Sequence, residues 1–188
     1  MENFIDLNDE EKVIICSLGA LHNSPLRSKT KIQKLLFLIS NVFDGYKDIL
    51  EFEPHLFGPY SETVDYVLED LIKLDLVEKS GKQYKLTDNG IKIFKCLSPK
   101  KDIMRVIEDF KEFLNDLSNN ELLTFVYVSY PEYIEESAKW DELKKEREKI
   151  AISLLKKQKI SFSKAVEVSG LTTSNFEKLL EKKNIRWK

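Results

Sequence analysis

The chain has 188 residues, 42% hydrophobic and 33% charged, which suits one compact domain or two small ones and excludes global disorder. Its 30 basic and 32 acidic residues leave a net charge of -2, so charge implies no partner until it is resolved by region. Cys16 and Cys96 lack zinc or redox-motif spacing, no apolar run reaches bilayer length, and the acidic start from Glu2 to Glu11 is unlike a signal peptide; the expectation is a cytoplasmic protein with buried thiols, no membrane association, no metal and no cofactor.

Asn8 with Glu11 forms a capping-box start, and the helical spacing of Val13, Ile14, Leu18 and Leu21 runs to Asn23-Ser24-Pro25. Ser28 caps a second helix with a broad apolar stripe from Ile32 to Phe43 and an expected small basic edge at Lys29, Lys31 and Lys34. Phe52 to Phe57 reads as extended, interrupted by Pro54, and Gly58-Pro59-Tyr60-Ser61 reads as a turn and a new helix cap. A third helix runs to about Asp75. Two short strands then flank Ser80-Gly81-Lys82, and Thr87 caps a fourth helix ending near Leu97. Three helices, a hairpin and a helix give the order of a winged helix, expected over residues 1–97.

The third helix of such domains usually enters the DNA groove, yet here it carries Glu62, Asp65, Glu69 and Asp70, which phosphates repel. This domain is therefore expected to bind a partner through Tyr60, Glu62, Asp65 and Glu69. Lys31-Ile32-Gln33-Lys34-Leu35-Leu36-Phe37-Leu38, Phe57-Gly58-Pro59-Tyr60-Ser61-Glu62 and Tyr84-Lys85-Leu86-Thr87-Asp88-Asn89-Gly90 together resemble the Panacea, or SocA-like, antitoxin domain over about residues 10–97. The resemblance implies toxin neutralisation, protein-partner binding or transcriptional control.

Residues 98–157 read as a helical connector and possible dimerisation region. Ser98-Pro99 starts a helix with Ile103, Val106, Ile107, Phe110 and Leu114 on one face, and Ser118 with Glu121 repeats the capping box. Tyr127, Tyr130 and Tyr133 are read as packed rather than as a platform for stacked bases. From Lys139 to Lys157, Trp140, Leu143, Ile150 and Leu154 form an apolar seam interrupted by Arg147. That seam is compatible with pairing to a second copy and with packing inside one chain.

Charge reverses at the end. Residues 1–97 carry 12 basic and 16 acidic side chains, 98–148 carry 8 and 13, and 149–188 carry 10 and 3, balances of -4, -5 and +7. Within residues 158–188, Ser161 and Thr172 are caps, Ala165 permits a close helix crossing, and Gly170 suits a left-handed turn. This is a helix-turn-helix pattern, and the stretch from 155 to 185 also resembles small prokaryotic antitoxin-like helix-turn-helix proteins. Thr172, Thr173, Ser174, Asn175 and Lys178 are expected at base edges, with Lys164, Lys182, Lys183 and Arg186 on phosphates.

The fold expectation is thus a mainly α chain: an N-terminal winged helix-turn-helix with a small β-hairpin wing, a helical connector and a C-terminal helix-turn-helix. The functional expectation is a non-enzymatic transcriptional regulator that binds double-stranded DNA as a homodimer. A toxin or other protein bound at the acidic winged helix is the alternative. Neither histidine has a general-base setting, and no catalytic set is visible.

Overall fold

The computed structural model describes residues 6–187; Glu2 and Lys188 lie outside them. The described chain is mainly helical with one small two-stranded antiparallel sheet. It forms two compact units, residues 1–53 with 59–116 and residues 54–58 with 117–188. The 98–157 stretch read as a connector is therefore divided between them, because its first helix has an apolar face that belongs to the first unit's core.

In the first unit, α1 (Asp9–Asn23), α2 (Lys29–Val42), α3 (Lys47–Leu50) and α4 (Glu62–Lys73) precede β1 (Val77–Ser80) and β2 (Gln83–Leu86). The capping box of Asn8 and Glu11 is formed, and Ser28 and Ser61 cap α2 and α4. The strands pair from Val77 with Leu86 to Ser80 with Gln83, and Gly81 turns the hairpin at φ +59°. Leu26 pairs with Tyr84 in both directions at 3.0 Å, adding a one-residue third strand. Asn23 extends that pairing through its side chain, which donates to Leu86 O at 3.0 Å and accepts from Leu86 N at 2.8 Å.

Thr87 caps α5 (Asp88–Leu97) by accepting from Gly90 N, and its hydroxyl donates to Asp75 O at 2.6 Å. A Cβ on Gly90 would lie 2.1 Å from Leu76 O, so the Thr-Asp-Asn-Gly stretch is what lets α5 close on the end of α4. Next comes α6 (Lys101–Asn115), without a side-chain cap. Ser98 does not start it: at φ +40° it terminates α5 and bonds back to Lys95 O. The segment after Phe52 is not a strand either, since pairing there is confined to Glu53 with Tyr60.

Three lysines of this unit are buried, which removes the expected basic edge at Lys31 and Lys34. Lys34 donates to Pro59 O at 2.7 Å and Lys31 to Asn115 O at 3.2 Å. Lys111, on α6, is fully buried and donates to Leu18 O at 2.6 Å and Ala20 O at 2.8 Å. Those carbonyls stand where α1 unwinds into the left-handed run Leu21, His22 and Asn23. Burial lowers Lys34 and Lys111 to about 7. Cys16 is buried, which pushes its thiol up to about 11, but Cys96 is exposed, contrary to expectation.

The second unit contains α7 (Asn119–Ser129), α8 (Trp140–Lys156), α9 (Phe162–Ser169) and α10 (Thr173–Lys182). The Ser118–Glu121 capping box is formed. Glu121 also accepts from Ser153 Oγ at 2.6 Å and Lys157 Nζ at 2.8 Å, tying α7 to the end of α8. Burial alone would raise the Glu121 carboxyl, but these donors outweigh it and bring the group to about 2. Tyr127 is fully buried, accepts from Ser137 Oγ at 2.7 Å and meets Trp140 edge-on at 5.8 Å. Leu143, Ile150, Ala151 and Leu154 of α8 are buried against α7 and α9. The α8 seam is therefore filled by its own chain and offers no stripe to a second copy.

Lys111→Met keeps most of the volume while removing both bonds to the Leu18 and Ala20 carbonyls, so the first unit should lose about 2–4 kcal/mol in denaturant unfolding. Because its folded value lies near 7, below the usual 10.5, wild-type stability should rise as pH increases from about 7 to 10.5. A neutral amine still has two N–H donors for the two carbonyls. The Lys34→Met/Lys111→Met double variant should lose most of that slope.

Candidate nucleic-acid interface

The C-terminal pair α9 and α10 is built around a three-residue connection. Ser161 accepts from Lys164 N and Thr172 accepts from Asn175 N, capping the two helices. Gly170, at φ +75°, ends α9 in the left-handed conformation and bonds to Glu167 O at 3.2 Å. Ala165, Val168, Phe176 and Leu180 are buried and join the helices, and Phe162 packs on Phe176 at 5.8 Å. The caps Ser161 and Thr172, the small Ala165 and the left-handed Gly170 hold the roles read from the pattern in the sequence.

The fastener is Arg147. Its Nε donates to Val168 O and its Nη2 to Glu167 O, both at 2.7 Å, so one guanidinium satisfies two of the last carbonyls of α9. A cation at that end also complements the helix dipole. The Trp140 ring lies 5.6 Å beneath the same group. A Cβ on Gly170 would come within 2.9 Å of the guanidinium carbon. The sequence singled out Arg147 only as an interruption in an apolar seam, because its acceptors are main-chain atoms 20 residues on.

This clamp leaves the start of α10 outward. Thr172, Thr173, Ser174, Asn175 and Lys178 are all exposed, while Phe176 between them is buried. The side chains of Thr173, Ser174, Asn175 and Lys178 make no hydrogen bond within the described residues. Thr172 differs, since its hydroxyl is already the cap. Lys182, the last residue of α10, and Lys183 and Arg186 beyond it are exposed. Lys164 is the exception among the expected cations: half-buried, it pairs with Glu167 at 2.9 Å and lies 5.7 Å over the Phe125 ring. The acidic Glu177 and Glu181 also lie on α10.

The expected partner face of α4 separates into two sets. Asp65 is half-buried and accepts from Lys29 Nζ at 2.8 Å, Gln33 Nε2 at 2.9 Å and the Tyr60 hydroxyl. Burial would raise its carboxyl, but the three donors hold it below the ordinary range, and the bond to Asp65 pushes Tyr60 up to about 12. Tyr60 and Asp65 thus brace the Gly-Pro-Tyr-Ser turn against α2. Glu62 and Glu69 are exposed on either side of Tyr66, which is 69% exposed and was not singled out in the sequence.

Among the described residues no group of three or more His, Cys, Asp or Glu is placed to hold a metal ion, and no helix is long and apolar enough to cross a membrane. The model of an uncharacterised protein family, UPF0175, matches residues 125–188, about a third of the chain. This match covers all of α8, α9 and α10 and is loosely consistent with the antitoxin-like segment expected there. No curated protein matches the chain.

Gly170→Ala should destabilise the second unit by about 1–2 kcal/mol, from left-handed backbone strain together with displacement of Arg147. Arg147→Ala should cost about 2–3 kcal/mol, and Arg147→Lys should fail to restore it because an ammonium does not reproduce the fork. Thermal unfolding of the three variants checks both.

Proposed function

We propose that this protein is a DNA-binding regulator whose α10 reads duplex DNA. The observation that carries the reading is the row of exposed, internally unbonded polar groups at the start of α10, Thr173, Ser174, Asn175 and Lys178. Asn pairs with adenine through two bonds, Ser and Thr reach bases or phosphates, and Lys reaches guanine or backbone. Lys182, Lys183 and Arg186 supply counter-charge along the same segment and fix register on phosphates. Lys164, paired with Glu167, has at most a secondary part. Sequence-specific affinity from one short helix calls for two copies on half-sites about one DNA turn apart. Their contact lies outside the buried α8 seam.

The test is fluorescence anisotropy with a duplex taken from upstream of the coding region and a shuffled control. Asn175→Ala should weaken the specific duplex by about 1–3 kcal/mol and narrow its advantage over the control. Lys182→Ala and Lys183→Ala should weaken both duplexes alike and each lower the salt slope by about 1. Equal binding of both duplexes by the wild type, unchanged in all three variants, contradicts the reading.

A second function on the first unit is favoured by the exposed Glu62, Tyr66 and Glu69 of α4. An aromatic flanked by carboxylates suits a basic, partly apolar protein surface. With the Panacea-like motifs, that makes a toxin-class partner the reading for this face, with DNA binding as its regulatory arm. Tyr66→Ala with Glu62→Lys and Glu69→Lys should abolish co-purification with the product of the adjacent gene while leaving DNA affinity unchanged. Retained co-purification would remove α4 from the interface.

A further inference from the structure

A second feature of the basic region lies away from the start of α10. The stretch from Leu155 to Phe162 and the chain from Lys183 to Trp187 enclose an open cleft of about 760 Å³, within the ~300–1,000 Å³ range of small-molecule sites. Among the described residues its charged side chains are Lys156, Lys159, Lys183 and Arg186. Lys156, Lys183 and Arg186 have no acidic partner among the described residues. These three like charges around one concavity repel, and an anion placed among them relieves that repulsion.

The cleft also has apolar and stacking components that a phosphate contact alone does not need. Leu155, Ile160 and Ile185 contribute its hydrocarbon surface. Trp187 is stacked on Phe162, with centroids 5.4 Å apart and planes 18° from parallel, which holds the indole in a fixed plane. Trp187 also lines an adjoining cleft with Glu181, Asn184, Ile185 and Arg186. Gln158 and Asn184 add amide donors and acceptors at the rim. Cations for phosphate, a braced indole for a flat ring and amides for the ring edge describe one ligand class.

We propose that this cleft is a binding site for a nucleotide, with the phosphates among Lys156, Lys183 and Arg186 and the base against Trp187. The proposal stands apart from the DNA reading, because Lys156, Gln158 and Trp187 have no part in it. Lys183 and Arg186 are shared by both, so an occupied cleft would withdraw two phosphate contacts from α10 and weaken duplex binding.

The test is calorimetric titration of the full chain with ATP, GTP, tripolyphosphate and adenosine. At least one nucleotide should bind about tenfold or more tighter than either tripolyphosphate or adenosine. Lys156→Ala and Arg186→Ala, exposed positions whose folding is checked by circular dichroism, should each weaken it about tenfold. Trp187→Phe should weaken the nucleotide while leaving tripolyphosphate unchanged. No binding at millimolar nucleotide overturns the proposal, and so does equal binding of nucleotide and tripolyphosphate, which marks a general polyanion surface. Nucleotide binding unchanged by Lys156→Ala and Arg186→Ala overturns it too, since the ligand then sits elsewhere. If Lys156→Ala lowers affinity for the upstream duplex while no nucleotide binds, the cleft belongs to the DNA footprint, and the site proposed here fails while the DNA reading survives.

Discussion

The second unit depends on one guanidinium. Helix α9 has only eight residues, too few to be stable alone, and its last carbonyls face Arg147 rather than a further helical turn. Two hydrogen bonds of 2.7 Å, the Trp140 face and the absent Cβ of Gly170 meet at that point. The clamp sets where α9 ends, hence where the turn lies, hence which side chains of α10 point outward. Phe176 and Leu180 then complete the arrangement by burying the opposite face.

The first unit solves a similar problem with Lys111. There, too, a long cation, from a helix some 90 residues later, reaches carbonyls at a helix end. The two devices differ in chemistry. Arg147 remains charged and planar, whereas the lysine is buried with no carboxylate bonded to it and is held near the pH at which it loses its proton. Around Lys111 the winged-helix elements close with their acidic α4 face outward, and the two units present opposite charge.

What was legible in the sequence was local. Asn8 with Glu11, Ser28, Ser61, Thr87, Ser118 with Glu121, Ser161 and Thr172 all cap the helices that their spacing indicated, because a cap reaches only three residues. Gly170 and Gly81 were legible for the same reason. The misreadings share a cause in long-range packing. Lys31 and Lys34 looked like a basic edge until carbonyls of Asn115 and Pro59 received them, and the convergence of Lys29, Gln33 and Tyr60 on Asp65 was not visible in the sequence. Ser98 has the residue type of a helix start but a left-handed backbone. At the candidate interface, exposure of the α10 residues followed from the amphipathic pattern, but the pairing of Lys164 with Glu167 did not, and neither did the cleft beside Trp187.

The central claim is that nucleic acid meets this protein at α10. Amide hydrogen exchange of the full chain, with and without a saturating upstream duplex, tests it most directly. Slowed exchange centred on residues 172–186, with α4 unaffected, is the predicted result. Protection confined to α4 and the β-hairpin, or none anywhere while the duplex is bound, would contradict it.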